Sequence, residues 1–183
     1  MEKLRFQKSI LVRKLTYSAL CFAFCMILPF ITAGIPEIGN ALSPMHLPVL
    51  ICGGICGPIF GGVVGFTAPL FRSIVFGMPS PFVPRAVAMA AELLGYGVIM
   101  GLFSKLLPKK MPFVYASLGL AMLGGRVLGG ICKWILLLLG FLPEYSFGLF
   151  FSGYFVESVP AFLVQLLLVP PLIYGIRRAK LDL

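Results

Sequence analysis

A small set of ionisable residues lies inside long apolar runs: His46, Arg72, Arg85, Glu92, Arg126, Lys133 and Glu157. Charged side chains in such surroundings are rare, and they normally line a cavity or pair with one another. Arg85 and Glu92 are seven residues apart, as are Arg126 and Lys133, so each pair shares a helix face. Cations outnumber anions in the set. The chemistry this suggests is non-covalent capture of a small polar or anionic solute. Arg72, Arg126 or Lys133 would hold a carboxylate or phosphate, with Arg85 at the mouth. Glu92, Asn40 and His46 would take hydroxyl or amide groups, and Tyr96 and Glu157 border the same space. Blander roles compete at each position. Arg85 and Lys133 can snorkel to headgroups, Glu92 can pair with Arg72 or Arg126, Arg126 can brace a helix crossing beside Gly125 and Gly129, and His46 suits an interface. Tyr96, Trp134, Tyr145 and Tyr154 also fit an ordinary aromatic belt.

Reaction chemistry has little to work with. Gly-x-Ser-x-Gly, His-Glu-x-x-His and paired Asp motifs are missing, and the one histidine limits acid–base options. The five cysteines, Cys21, Cys25, Cys52, Cys56 and Cys132, lie in apolar runs without Cys-x-x-Cys spacing, and read as small packing residues. No catalytic residue, metal or cofactor is expected.

The elements that position these side chains follow from composition. With 60% hydrophobic residues, 11% charged and a mean hydropathy of +1.04, the chain departs from soluble domains, in which roughly a quarter of residues are charged. A spanning helix takes about 20 apolar residues, so the length accommodates about six. The net charge of +9 does not point to nucleic acid, because basic residues cluster beside the spans: Lys3, Arg5, Lys8, Arg13 and Lys14; Lys105, Lys109 and Lys110; Arg177, Arg178 and Lys180. Such clusters mark the cytoplasmic side.

The expected fold is an all-α membrane protein, a bundle of six transmembrane helices with both termini cytoplasmic. Residues 1–14 form a basic cytoplasmic segment, either a surface amphipathic helix or a solvated flank. Residues 15–176 form the six-helix substrate-binding domain, and 177–183 a basic cytoplasmic tail. Span one covers 15–35 and is too long for a signal h-region. A turn-rich loop, 34–45, would lid the pocket. Spans two and three, 46–57 and 61–76, look short and are separated by Gly57-Pro58; a continuous kinked pair is the competing reading. Short, Gly/Pro-interrupted spans point to substrate sites. Gly53, Gly57, Gly61 and Gly65 recur every fourth residue, which allows close helix packing. A proline-rich loop, 77–84, precedes span four, which starts at Pro84 or Arg85 and ends at Leu107. Spans five and six cover 112–139 and 150–175. By helical rise, Glu92 sits roughly 10–12 Å below the outer end of its span, and all of the buried charges except Arg126 fall in the outer half.

The block HLPVLICGGICGP…GFTAPLFRSIVFGMP…MAAELLGYG, followed by GGR, resembles the substrate-binding S components of energy-coupling factor (ECF) vitamin transporters of bacteria. The likeness extends over most of the chain. It is similar to the subgroup assigned to pantothenate at Gly77, Met78, Pro79, Met89, Glu92, Tyr96, Gly97 and Arg126, and departs from it at Ser80, where a second proline is usual. The resemblance implies a multi-pass protein of the bacterial cytoplasmic membrane that binds a vitamin at the outer face. It implies docking, through Ala19 and Ala23, on a transmembrane coupling subunit that works with two cytoplasmic ATPases. No Gly-x-x-x-x-Gly-Lys-Ser/Thr phosphate loop occurs in the chain itself. A different vitamin, such as a cobalamin precursor, fits the same subgroup. A stand-alone transporter or channel is the main alternative from another class.

Overall fold

A computed structural model describes residues 2–32, 44–80, 82–142, 146, 148, 151–153 and 158–178. Asn40, Glu157, most of the lid loop and the end of the tail lie outside the described residues. The described chain is all-helical: α1 (Glu2–Thr32), α2 (His46–Cys56), α3 (Pro58–Phe76), α4 (Val87–Leu106), α5 (Met111–Leu138) and α6 (Val159–Arg178). All but α2 are long and apolar enough to cross a membrane, and together the six form the expected bundle. The end that carries Lys14, Lys105, Lys109, Lys110, Arg177 and Arg178 is the inner end by charge.

The first helix is continuous from Glu2, with its apolar span at Gln7–Phe30. It shows lipid a broad face that includes Val12, Leu15, Leu20, Phe24 and Ile27. Pro29 removes one amide from this helix. Membrane helices tolerate that where neighbours satisfy the freed carbonyls. Close by, the Met26 carbonyl accepts a hydrogen bond from Arg72 Nη1 at 2.9 Å.

The expected break falls at Gly57-Pro58. Gly57 has φ 99° and ψ 179°, a combination open essentially to glycine alone. Pro58 then sits in the first turn of α3, where its missing amide costs nothing. The competing reading of one kinked helix pair does not hold, because the chain reverses here and α2 packs against α3.

In the outer loop, Met78–Pro79 and Val83–Pro84 are cis. The loop ends in a π-helical turn, Phe82–Ala86, within which Val83 is extended (φ −108°, ψ 124°). The helix proper therefore starts at Val87, after Arg85 rather than at it. Pro170 and Pro171 lie within α6, which continues to Arg178.

Helix α4 is the centre. It packs on α2, α3 and α5 and has the largest buried share of the spans. Lipid gives helices no hydrophobic push together, so backbones must approach closely to gain contact. Glycines make this possible. A Cβ on Gly61 would stand 2.5 Å from Gly53 Cα and 2.7 Å from the Gly97 carbonyl oxygen, and one on Gly53 would stand 2.5 Å from that same oxygen. Thus α2, α3 and α4 meet at one glycine junction. Gly95 and Gly125 serve α4 and α5 in the same way, with a Gly95 Cβ placed 2.8 Å from Gly125 Cα. Around these junctions lie Leu50, Leu93, Met100, Leu118, Met122 and Ile173, all fully buried.

Gly61→Ala is expected to lower stability by about 1–3 kcal/mol or more, since only backbone could move to make room. Gly119, also helical, has nothing within 4 Å of the point where a Cβ would stand, and Gly119→Ala should be neutral or stabilising by up to about 1 kcal/mol. Thermal melting in detergent compares the two; equal losses would remove the junction argument.

Candidate functional site

Helix α2 has 11 residues and rises about 17 Å, little more than half of a typical hydrocarbon core. It shares its inner turn with full-length α3. Its first residue, His46, is consequently carried to mid-depth instead of to the membrane surface. Its side chain is 8% exposed.

There His46 meets α4. His46 Nε2 lies 3.6 Å from Glu92 Oε1, an ion-pair distance longer than a hydrogen bond. Tyr96, one turn below Glu92 on the same face, donates its hydroxyl hydrogen to the same oxygen at 2.8 Å. The His46 and Tyr96 rings lie 5.2 Å apart, tilted by 56°. Helix α5 closes the group. Arg126 acts on the Tyr96 hydroxyl, and Lys133, on the same face of α5 two turns further out, adds its charge to the field at Glu92. The Arg126 guanidinium also lies over the Phe162 ring of α6, 5.8 Å from its centroid. Gly125 makes this arrangement possible, since a Cβ there would run into the Tyr96 ring and stand 2.9 Å from the Glu92 carbonyl oxygen.

The structure therefore brings together His46, Glu92, Tyr96 and Arg126 from three helices, with Lys133 further along α5. A carboxylate largely withdrawn into the bundle, 13% exposed, is stabilised by such partners. The group offers cationic and hydroxyl donors around one anionic acceptor, with positive charge in excess.

Other residues fall elsewhere. Arg72 is buried, but it points towards α1. Its guanidinium stacks 4.7 Å from the Phe30 centroid and 5.8 Å from the Phe76 centroid. Arg85 is exposed and donates to the Ser80 carbonyl at 3.0 Å. Ala19 and Ala23 are exposed on the outer surface of α1. The cysteines are free thiols. Cys25 Sγ lies 3.6 Å from the Met45 carbonyl oxygen, and Cys52 Sγ lies 3.6 Å from Ser18 Oγ. Among the described residues no group of three or more His, Cys, Asp or Glu side chains is placed to hold a metal ion.

Two further polar side chains carry no signal in the sequence. Gln165 of α6 is 2% exposed, and its Oε1 accepts no hydrogen bond among the described residues. It follows Phe162 by one turn, on the face that turns to the Arg126 side. Ser104 near the inner end of α4 is likewise buried without a partner among the described residues. Only their lack of a partner singles them out, and that requires the fold.

The family model described as ECF transporter, substrate-specific component, matches residues 13–173. No curated protein and no solved structure matches the chain.

The Tyr96–Glu92 contact should register as thermodynamic coupling. Tyr96→Phe and Glu92→Gln are each expected to cost about 1–3 kcal/mol. Combined, they should cost less than their sum by at least about 0.5 kcal/mol. Pairing Tyr96→Phe with Arg85→Gln should be additive. A double-mutant cycle of unfolding in detergent reads both.

Proposed function

Because the chain belongs to the ECF transporter substrate-specific component family, we propose that it captures a vitamin or related small nutrient, with pantothenate the best fit. Capture takes place at the outer face of the bacterial cytoplasmic membrane, and a transmembrane coupling subunit and two cytoplasmic ATPases work with the chain to deliver the cargo. The family consists of transport components rather than of an enzyme class. The chain's own task is then recognition.

The observation that carries this reading is the convergence of His46, Glu92, Tyr96 and Arg126 inside the bundle, with the charge of Lys133 further out on α5. Pantothenate has a carboxylate at one end and hydroxyls and an amide along its length. Arg126 and Lys133 suit the carboxylate, since charge-assisted hydrogen bonds are the strong ones. Glu92 and His46 suit hydroxyl and amide groups. Asn40 and Glu157, with the loop 34–45 as lid, belong to the same proposed pocket. Arg72 keeps the outer half of α1 fixed to α3 in this reading, and Arg85 guards the mouth. The exposed small-residue pair Ala19 and Ala23 supports docking of the coupling subunit along α1, because a flat helix face permits close approach.

Arg126→Ala and Glu92→Ala should each weaken binding of pantothenate by about 30- to 150-fold, the loss of one charge-assisted contact at about 2–3 kcal/mol. Calorimetry in detergent measures this on variants that elute as the wild type does, and unchanged binding in both would refute the pocket. Mass spectrometry of ligand retained by protein purified from cells identifies the nutrient directly. Ala23→Trp should keep ligand binding and lose co-purification with the ATPases. If the wild type never co-purifies with ATPases yet moves solute alone in vesicles, the stand-alone transporter reading replaces this one.

A further inference from the structure

Arg126 is engaged from two helices other than its own. Its guanidinium acts on the Tyr96 hydroxyl of α4 and lies over the Phe162 ring of α6, 5.8 Å from the centroid. Phe162 belongs to the first turn of α6, and its amide donates to the Ser158 carbonyl at 3.0 Å. Aromatic residues near the end of a span commonly sit at the membrane surface. Phe162 instead is half-buried and packs against the buried core. It adjoins the inward stripe of Ala161, Val169 and Ile173, whereas Leu163 and Leu167 turn outward, 59% and 71% exposed. Helix α6 packs on both α5 and α2, the helices that carry Arg126 and His46. The bundle itself therefore sets the place of the ring.

How a guanidinium is held decides what it can still do. The group is planar, with five N–H donors in the plane and a face on either side that stacks on aromatic rings. Arg72 is fixed partly by a donor, since its Nη1 is given to the Met26 carbonyl at 2.9 Å. The stack on Phe162 consumes no N–H donor of Arg126. It uses the attraction of the cation to the ring quadrupole, which grows where water is excluded, and Arg126 is buried. Two-pronged recognition of a carboxylate by a guanidinium requires a defined plane. A ring against the face supplies that plane and leaves the choice of in-plane partners to Tyr96 and the solute.

We infer that Phe162 is a positioning residue for solute capture: its ring holds Arg126 by the face and sets the plane in which the guanidinium meets the carboxylate of the solute. Phe162 acts through Arg126. The inference rests on the reading of Arg126 as the carboxylate contact, and it brings α6 into a site otherwise built from α2, α4 and α5.

The test uses the full chain in detergent, with pantothenate and with pantothenol, which has a primary alcohol in place of the carboxylate. Phe162→Leu keeps apolar bulk and removes the ring face. It should weaken pantothenate about tenfold, the loss of one partly desolvated stack, and pantothenol by no more than about twofold. Phe162→Tyr keeps a ring and should bind pantothenate within about twofold of the wild type. Phe22→Leu removes a ring from the Phe22–Phe71 pair on the α1–α3 side, 5.5 Å between centroids, and should leave both affinities as they are. Phe162→Met replaces the leucine variant if that variant does not elute as the wild type does. A melting cycle needs no solute: the Tm losses of Phe162→Leu and Arg126→Gln should be less than additive when combined. The inference is overturned by additive losses, by wild-type affinity for pantothenate in Phe162→Leu, by equal losses for the two solutes, or by a loss in Phe162→Tyr as large as in Phe162→Leu. If the wild type binds pantothenol too weakly to measure, the comparison of leucine with tyrosine decides. A wild type that binds neither solute overturns the nutrient assignment instead, and the melting cycle then decides the hold of Phe162 on Arg126 alone.

Discussion

Backbone contact between α4 and three neighbouring helices is the constraint from which the rest follows. In lipid there is no solvent penalty on an exposed leucine, so affinity between helices must come from close surfaces. Gly53, Gly61 and Gly97 allow α2, α3 and α4 to touch at one point, and Gly95 with Gly125 allows α4 and α5 to do so at another. Two consequences follow for the polar residues. Side chains on the crowded faces of α4 have no lipid to turn to, so Glu92 and Tyr96 must find partners within the bundle. And those partners lie within hydrogen-bond or ion-pair range because the helix axes are so near. The same tight spacing that stabilises the fold concentrates its charge.

The half-length α2 decides where that concentration falls. A full-length helix would have carried His46 to the headgroups, where imidazole has water for company. Because α2 is tied to α3 through Gly57 at the inner end and stops after 11 residues, its first residue stops at mid-membrane. Among the described residues no helix continues it outward. The histidine and the carboxylate are thus brought together by a length difference between adjacent helices, and each helps to make the other's burial tenable.

Much of this was legible in the residues. Apolar runs bounded by basic clusters gave spans two to five to within a few residues, Gly57-Pro58 gave the reversal, and the fourfold glycine spacing gave the faces; the expected bounds 15–35 and 150–175 miss the helical start of α1 at Glu2 and the start of α6 at Val159. The spacing of Glu92 and Tyr96 already placed them one turn apart. Other features depend on references that a one-dimensional reading lacks. His46 reads as a surface residue if depth is counted from its own end of the span, and as a buried one only when counted from the shared turn. Arg85 and Glu92 share a face only if the helix is regular between them; the extended Val83 and the π-helical turn delay its start. Arg72 as a partner for Glu92 was a reasonable expectation, but its guanidinium is taken by the Met26 carbonyl and two phenylalanine rings. Ser104 and Gln165 look like ordinary polar residues in apolar helices until their surroundings are known.

The two polar ends of the bundle are insulated from one another, and this bears on mechanism. Between the Glu92 group and the basic inner end, α4 contributes Met100, α5 contributes Leu118, Ala121 and Met122, α2 contributes Val49, Leu50 and Cys52, and α6 contributes Val169 and Ile173, all fully buried. The glycine junction of Gly53, Gly61 and Gly97 closes the remaining space with backbone. A polar solute crossing this layer would shed its hydration against apolar side chains, at a cost of several kcal/mol for each unpaired group. A channel or rocking carrier needs a polar route or two bodies that separate along one. Here the same contacts that would have to part are the ones that hold α2, α3 and α4 together. On the proposed reading, a solute held at the Glu92 group would reach the inner side most cheaply if the bundle moved as a unit, with the work supplied from outside the chain. That physical requirement agrees with a subunit built to recognise cargo and to depend on a partner for its release.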